Sequence, residues 1–186
     1  PYICVSDTAH LQKSIVEADR ALAAEAMEYV PDSAIPEVEA QSTIHPWTFV
    51  DQGGGKWRLY SVGTNRVVPS APFSMTSVWD VVPAVKEGSS FAKYDIRDGF
   101  WHCPVSRGSR KRLVVRHPGT GRLLWASALP FGYLDSPRLF CGLTEALIER
   151  LRSQAAAEGT RVRFYVFVDD VLVVGADERA TKRGME

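Results

Sequence analysis

The run Arg163-Phe-Tyr-Val-Phe-Val-Asp-Asp-Val-Leu-Val-Val-Gly175 constrains this chain more than any other stretch. Two apolar pieces of strand length, rich in Val and aromatic residues, meet at the adjacent carboxylates Asp169 and Asp170. The pattern predicts a β-hairpin with both acids at or near its turn. Neighbouring carboxylates repel each other unless water solvates them or a divalent cation neutralises them, and hard cations such as Mg²⁺ favour carboxylate oxygens. An ordinary polar turn explains the same two residues, because Asp is common in turns. The rest of the chain has to decide between the two.

A third acid closes a strand-like segment, Ser90-Phe-Ala-Lys-Tyr-Asp95, ahead of Ile96-Arg97-Asp98-Gly99-Phe100-Trp101. A carboxylate at the end of a buried strand is costly to leave unpaired, so Asp95 is expected to meet a cation, a helix end or the Asp169-Asp170 pair. Asp98 fits equally well as the cap of a following turn.

Around these acids the chain punctuates itself. Apolar positions from Leu11 to Tyr29 recur at helical spacing and predict one amphipathic helix from Asp7 to Val30, stopped by Pro31. Residues 31 to 46, with three prolines, read as an extended linker. A glycine turn between Phe49 and Tyr60 predicts a hairpin on which Lys56 and Arg58 share a face; such a pair suits a triphosphate or a charged strand edge. A short helix is expected from Ser77 to Lys86, and a second hairpin where basic and apolar residues alternate through Arg107 to Arg116 and turn at Pro118 to Gly121. A long helix is expected from Ser136 to about Ala157, with Pro137 at a tolerated first-turn position.

Charge is segregated along this electrically neutral sequence. Residues 1 to 51 carry nine acids and two bases (−7), residues 52 to 134 four acids and twelve bases (+8), and residues 135 to 186 nine acids and eight bases (−1). A basic middle suits a polyanion-binding surface, although a run such as Arg110-Lys111-Arg112 also serves as a solvated face. Cys4, Cys103 and Cys141 form no CxxC pair, which points to reduced thiols in an intracellular protein rather than a zinc site. No apolar run approaches the roughly 20 residues that span a bilayer, so no membrane partner is expected.

Three motifs in order carry a resemblance. Phe91-Ala-Lys-Tyr-Asp95-Ile-Arg-Asp-Gly-Phe-Trp, Leu129-Pro-Phe-Gly-Tyr-Leu-Asp-Ser-Pro-Arg-Leu-Phe140 and Phe167-Val-Asp-Asp170 together resemble the reverse transcriptase domain of retrotransposon-type retroelements, over roughly residues 56 to 175. The resemblance implies an α+β polymerase palm with an antiparallel sheet and packed helices, plus a fingers subdomain and no thumb. Residues 1 to 46 would form an N-terminal helix and linker. The fingers would take about 47 to 90 and 103 to 128, and the palm about 91 to 102 and 129 to 186.

It further implies RNA-directed DNA polymerase chemistry with dNTPs and a template-primer duplex of RNA or DNA. Asp95, Asp169, Asp170 and the backbone carbonyl of Ile96 would hold two Mg²⁺ ions, or Mn²⁺ in their place. Lys56, Arg58, Arg97, Asp98, Gly99, Phe100, Phe131 and Gly132 would contact the nucleotide, Phe100 by excluding a ribose 2′-hydroxyl. Arg107, Arg110, Lys111, Arg112, Arg116 and Pro130 would contact nucleic acid. Thumb, RNase H and integrase regions would belong to a longer polyprotein.

The sequence departs from the family after Arg58, where it reads Leu-Tyr-Ser-Val-Gly-Thr-Asn65 and is about two residues short of the usual pattern. A viral RNA-dependent RNA polymerase shares the paired acids, but Val168 and Phe100 stand where that class places Gly and small polar residues. A decayed or co-opted module that binds nucleic acid without polymerising is the alternative.

Overall fold

The computed structural model describes residues 8–41, 44–45, 47–51, 57–61, 65 and 71–185. Lys56 lies outside them. The chain divides into two compact units, Pro1–Ala71 with Phe100–Ser136, and Pro72–Gly99 with Pro137–Glu186. Both mix helices with sheets, as expected for an α+β fold.

In the first unit a four-stranded sheet has the order β1 (Met27–Tyr29), β7 (Leu123–Ala126), β6 (Val114–Arg116), β2 (Ile44–His45). Only the β2–β6 pairing is parallel. Strand alternation sends Val115, Leu124 and Ala126 to one face, where they bury Ala18 and Ala21 of helix α1 (Thr8–Ala23). Val114 and Leu123 face the other way, onto Val38 of helix α2 (Ile35–Gln41). A separate hairpin pairs β3 (Trp47–Asp51) with β4 (Trp57–Ser61), as expected, and places Arg58 opposite Val50.

Three local expectations change. Helix α1 stops at Ala23, because Glu25 takes a left-handed conformation (φ 56°) while its N–H bonds Leu22 O and the N–H of Ala26 bonds Ala21 O. That is a Schellman-type ending without the usual glycine, and it frees residues 27–29 to join the sheet. The expected extended linker contains a 3₁₀ turn, Asp32–Ala34, followed by α2; Pro36 sits in the first helical turn, where its missing N–H costs nothing. Arg107–Arg110 form a helical turn, α4, so the basic hairpin strand is only β6.

In the second unit an antiparallel sheet has the order β5 (Ser90–Asp95), β9 (Asp170–Gly175), β8 (Val162–Phe167). Helix α5 (Ser136–Ala157) covers one face, packing Ile148 and Ala155 on Phe164, Val166 and Val173. Arg152 of α5 donates from Nη2 to the Phe164 carbonyl on edge strand β8 at 2.9 Å and also pairs with Glu145 and Glu149. A helical turn, α3 (Val78–Val81), leads toward β5, and α6 (Glu178–Arg183) follows β9 with Asp177 capping it through the Ala180 N–H at 2.7 Å. No described helix is long and apolar enough to cross a membrane.

Candidate active site

Two of the three acids singled out by the sequence are opposed at one end of the sheet in the second unit, and the third lies in the adjoining turn. Asp95, the last residue of β5, is the direct cross-strand partner of Asp170, the first residue of β9. Opposed residues of antiparallel strands share a face, so these two carboxylates lie side by side on the face opposite α5. Asp169 is held next to them through its backbone, whose carbonyl accepts the Ile96 N–H at 2.8 Å.

A two-residue connection, Val168-Asp169, joins β8 to β9, and Val168 has φ 55°. A β-branched residue rarely adopts that conformation, so this turn stores backbone strain beside the acids. Cys141 on α5 belongs to the same neighbourhood: burial pushes its thiol pKa up, while the Val168 N–H and then the charges of Glu145 and Asp169 act as smaller influences.

One cation was not anticipated here. Lys93 Nζ stands 2.9 Å from Asp170 Oδ2. Its ammonium is held above the usual lysine pKa, first by the hydrogen bond to Asp170, then by that carboxylate's charge, with Asp95 and Asp169 adding to it. The donor set, carboxylates and a backbone carbonyl, is all oxygen and fits a hard divalent ion, and the lysine ammonium already sits at Asp170 as a cation would. Among the described residues, however, no three His, Cys, Asp or Glu side chains converge closely enough as they stand to hold a metal ion.

Asp98, at φ 52°, lies 3.7 Å from the exposed Arg97 guanidinium. Gly99 is buried against Phe140, with no room for a side chain.

The remaining candidates belong to the first unit. Phe100 and Phe131 are in ring contact (centroids 5.1 Å apart), and Trp101 meets Phe131 at 6.2 Å. Gly132 has φ 81°, which suits glycine. Asn65 pins its loop twice, donating to the Gly132 carbonyl at 2.8 Å and accepting from the Leu134 N–H at 2.7 Å. The sequence showed Asn65 only as the end of an irregular stretch. Pro130 is buried, and its carbonyl accepts the Ser136 hydroxyl at 2.8 Å.

Among the basic candidates, Arg110 pairs with Glu28, Lys111 with Glu37, and Arg116 Nη2 approaches Glu39 at 3.8 Å. The segregated charges of the sequence therefore neutralise one another in part within this unit. Arg107 and Arg112 are exposed.

Comparison with known proteins assigns a family and a fold. A family model described as "Reverse transcriptase (RNA-dependent DNA polymerase)" matches residues 54–186. No curated protein matches in sequence. Among solved structures, the fold is similar to a foamy viral protease-reverse transcriptase in complex with double-stranded DNA, with TM-score 0.66 and 20% identity over 92% of this chain and 26% of that one. It is also similar to a Prototype Foamy Virus protease-reverse transcriptase mutant, with TM-score 0.70 and 18% identity over 97% of this chain and 22% of that one. The chain thus spans about a quarter of the length of these proteins, and at such identities the likeness is one of fold. Because the family match extends over most of the sequence, this chain belongs to the reverse transcriptase (RNA-dependent DNA polymerase) family.

Proposed function

We propose that this chain is the fingers and palm portion of a retrotransposon-type RNA-directed DNA polymerase, which adds dNTPs to a primer 3′-hydroxyl on an RNA or DNA template. The observation that carries the reading is the direct opposition of Asp95 and Asp170 on neighbouring strands, with the Asp169 backbone clipped to Ile96. In this reading Asp95, Asp169, Asp170 and the Ile96 carbonyl hold magnesium ions, which when bound would activate the primer hydroxyl and neutralise charge on the triphosphate.

The chain's own residues supply position and charge. The β5–β9 ladder fixes two carboxylates directly opposite each other, and the Ile96-to-Asp169 bond holds the third acid at the strained turn. Phe100 would meet the nucleotide's sugar and disfavour a 2′-hydroxyl, while Arg107 and Arg112 offer exposed charge to a nucleic-acid backbone. A thumb, an RNase H and an integrase region would complete the machinery in a longer polyprotein.

A second reading, a nucleic-acid-binding module without polymerase activity, is favoured by one observation: the acids do not converge into a three-ligand cluster as they stand. Primer extension on an RNA template with Mg²⁺ decides between the two. Incorporation of dNTPs that disappears in Asp95→Asn and Asp169→Asn supports the polymerase. Template-primer binding with no extension supports the second reading, and extension undiminished in both variants removes the acids from the mechanism.

A further inference from the structure

We infer that Lys93 is the resident counter-cation of the carboxylate cluster, seated on Asp170 until a divalent ion displaces it, and that it thereby sets how tightly that ion is held. The inference rests on reading Asp95, Asp169 and Asp170 as a metal-binding site.

The register places the lysine for this task. Asp95 lies opposite Asp170 and Lys93 lies opposite Leu172. Side chains two apart on a strand share a face, so Lys93 is on the face of the two acids, diagonal to Asp170 and within reach of a long side chain. Its ammonium crosses to the neighbouring strand and stops 2.9 Å from Asp170 Oδ2. Of the basic side chains on this sheet face, Arg163 lies opposite Val174, two rungs further from the turn, so Lys93 is the cation placed to meet the acids.

The pair is also built to open. The Lys93 side chain is 64% exposed and that of Asp170 39%, and exposed ion pairs are weak because water screens both charges. A divalent ion brings twice the charge in a smaller volume and binds oxygen directly. When it takes Asp170, the ammonium is repelled and swings into solvent on its four-carbon stem. Metal binding then has to overcome the lysine. A neutral residue of similar length at this position should tighten metal binding, and an arginine, which grips a carboxylate with two parallel bonds, should weaken it.

The test is direct Mn²⁺ binding to the whole chain at fixed ionic strength, reading free Mn²⁺ by its electron paramagnetic resonance signal. Lys93→Met should bind Mn²⁺ roughly three- to tenfold more tightly than wild type, the effect of one nearby charge in partly screened surroundings. Lys93→Arg should bind more weakly. The gain from Lys93→Met should disappear in an Asp170→Asn background, and without metal Lys93→Met should melt at a lower temperature than wild type, since it leaves the acids unneutralised. Affinity that is unchanged or weakened in Lys93→Met, while Asp95→Asn with Asp169→Asn still abolishes binding, overturns this inference alone. Binding that survives the double substitution overturns the metal-site reading as well.

Discussion

Gly99 lies so close to Phe140 that a Cβ placed on it would stand 2.6 Å from the ring's Cζ and 3.1 Å from Cε1. Phe140 is only 1% exposed, so the ring has little space into which it can retreat. In the Asp-Gly-Phe step after β5, the glycine is thus required by packing. Gly99→Ala should destabilise the protein by about 1–3 kcal/mol, the usual cost of overpacking a core, seen as a lower denaturant midpoint. A midpoint equal to wild type would show that the ring yields freely.

Val168 carries the opposite expectation. Its φ of 55° suits glycine and burdens a β-branched residue. Val168→Gly should raise stability by about 1 kcal/mol, the relief of strain being offset in part by the greater freedom of glycine in the unfolded chain. Thermal melting of the metal-free protein checks this, and a decrease in the midpoint would mean that the valine side chain contributes more than its backbone costs.

His45 gives a pH dependence with a definite sign. It is 4% exposed, and burial lowers its pKa against the smaller opposing effect of a hydrogen bond to the Arg112 backbone. The unfolded chain then takes up the proton at higher pH than the folded one, so stability is complete above the ordinary histidine value of about 6.5 and falls as pH drops toward the folded value. Melting temperatures from pH 8 to 5 should show a decline below about pH 6.5 that is shallower in His45→Leu. Parallel curves would assign the decline to other groups.

The pairing of Glu28, Glu37 and Glu39 with Arg110, Lys111 and Arg116 bears on nucleic-acid affinity. Replacing all three acids with Gln should release the bases, tighten nonspecific binding to duplex and steepen its salt dependence, by about 0.9 in the log–log slope for each phosphate newly contacted. Fluorescence anisotropy across a salt series measures both. An unchanged slope would place these bases away from the bound polyanion.

The hairpin, the strand Ser90–Asp95 and the helix Ser136–Ala157 were legible because each is announced by local chemistry: β-rich runs around two acids, a strand closed by a carboxylate, a serine and proline ahead of a helical period. What escaped was set by partners distant in sequence or by backbone that carries no residue signature. The early end of α1 depends on Glu25 in a conformation that normally announces itself with glycine. The pairings of Glu28 and Asp19 carry no local signal, because Arg110 lies 82 residues beyond Glu28 and His117 lies 98 beyond Asp19. Lys93 read as one charge on a strand until the register set it diagonal to Asp170.

Arg152 has a consequence beyond the hydrogen bond it makes to Phe164 on β8. β8 is an outer strand, and outer strands invite a foreign chain to zip onto their free amides and carbonyls. By occupying one of those carbonyls with a guanidinium anchored to its own helix, the protein interrupts that template within the very hairpin that carries its acids. Resistance to aggregation and the proposed metal chemistry would thus depend on the same short ribbon, and an Arg152 substitution should reveal itself in light scattering during refolding before it is felt anywhere else.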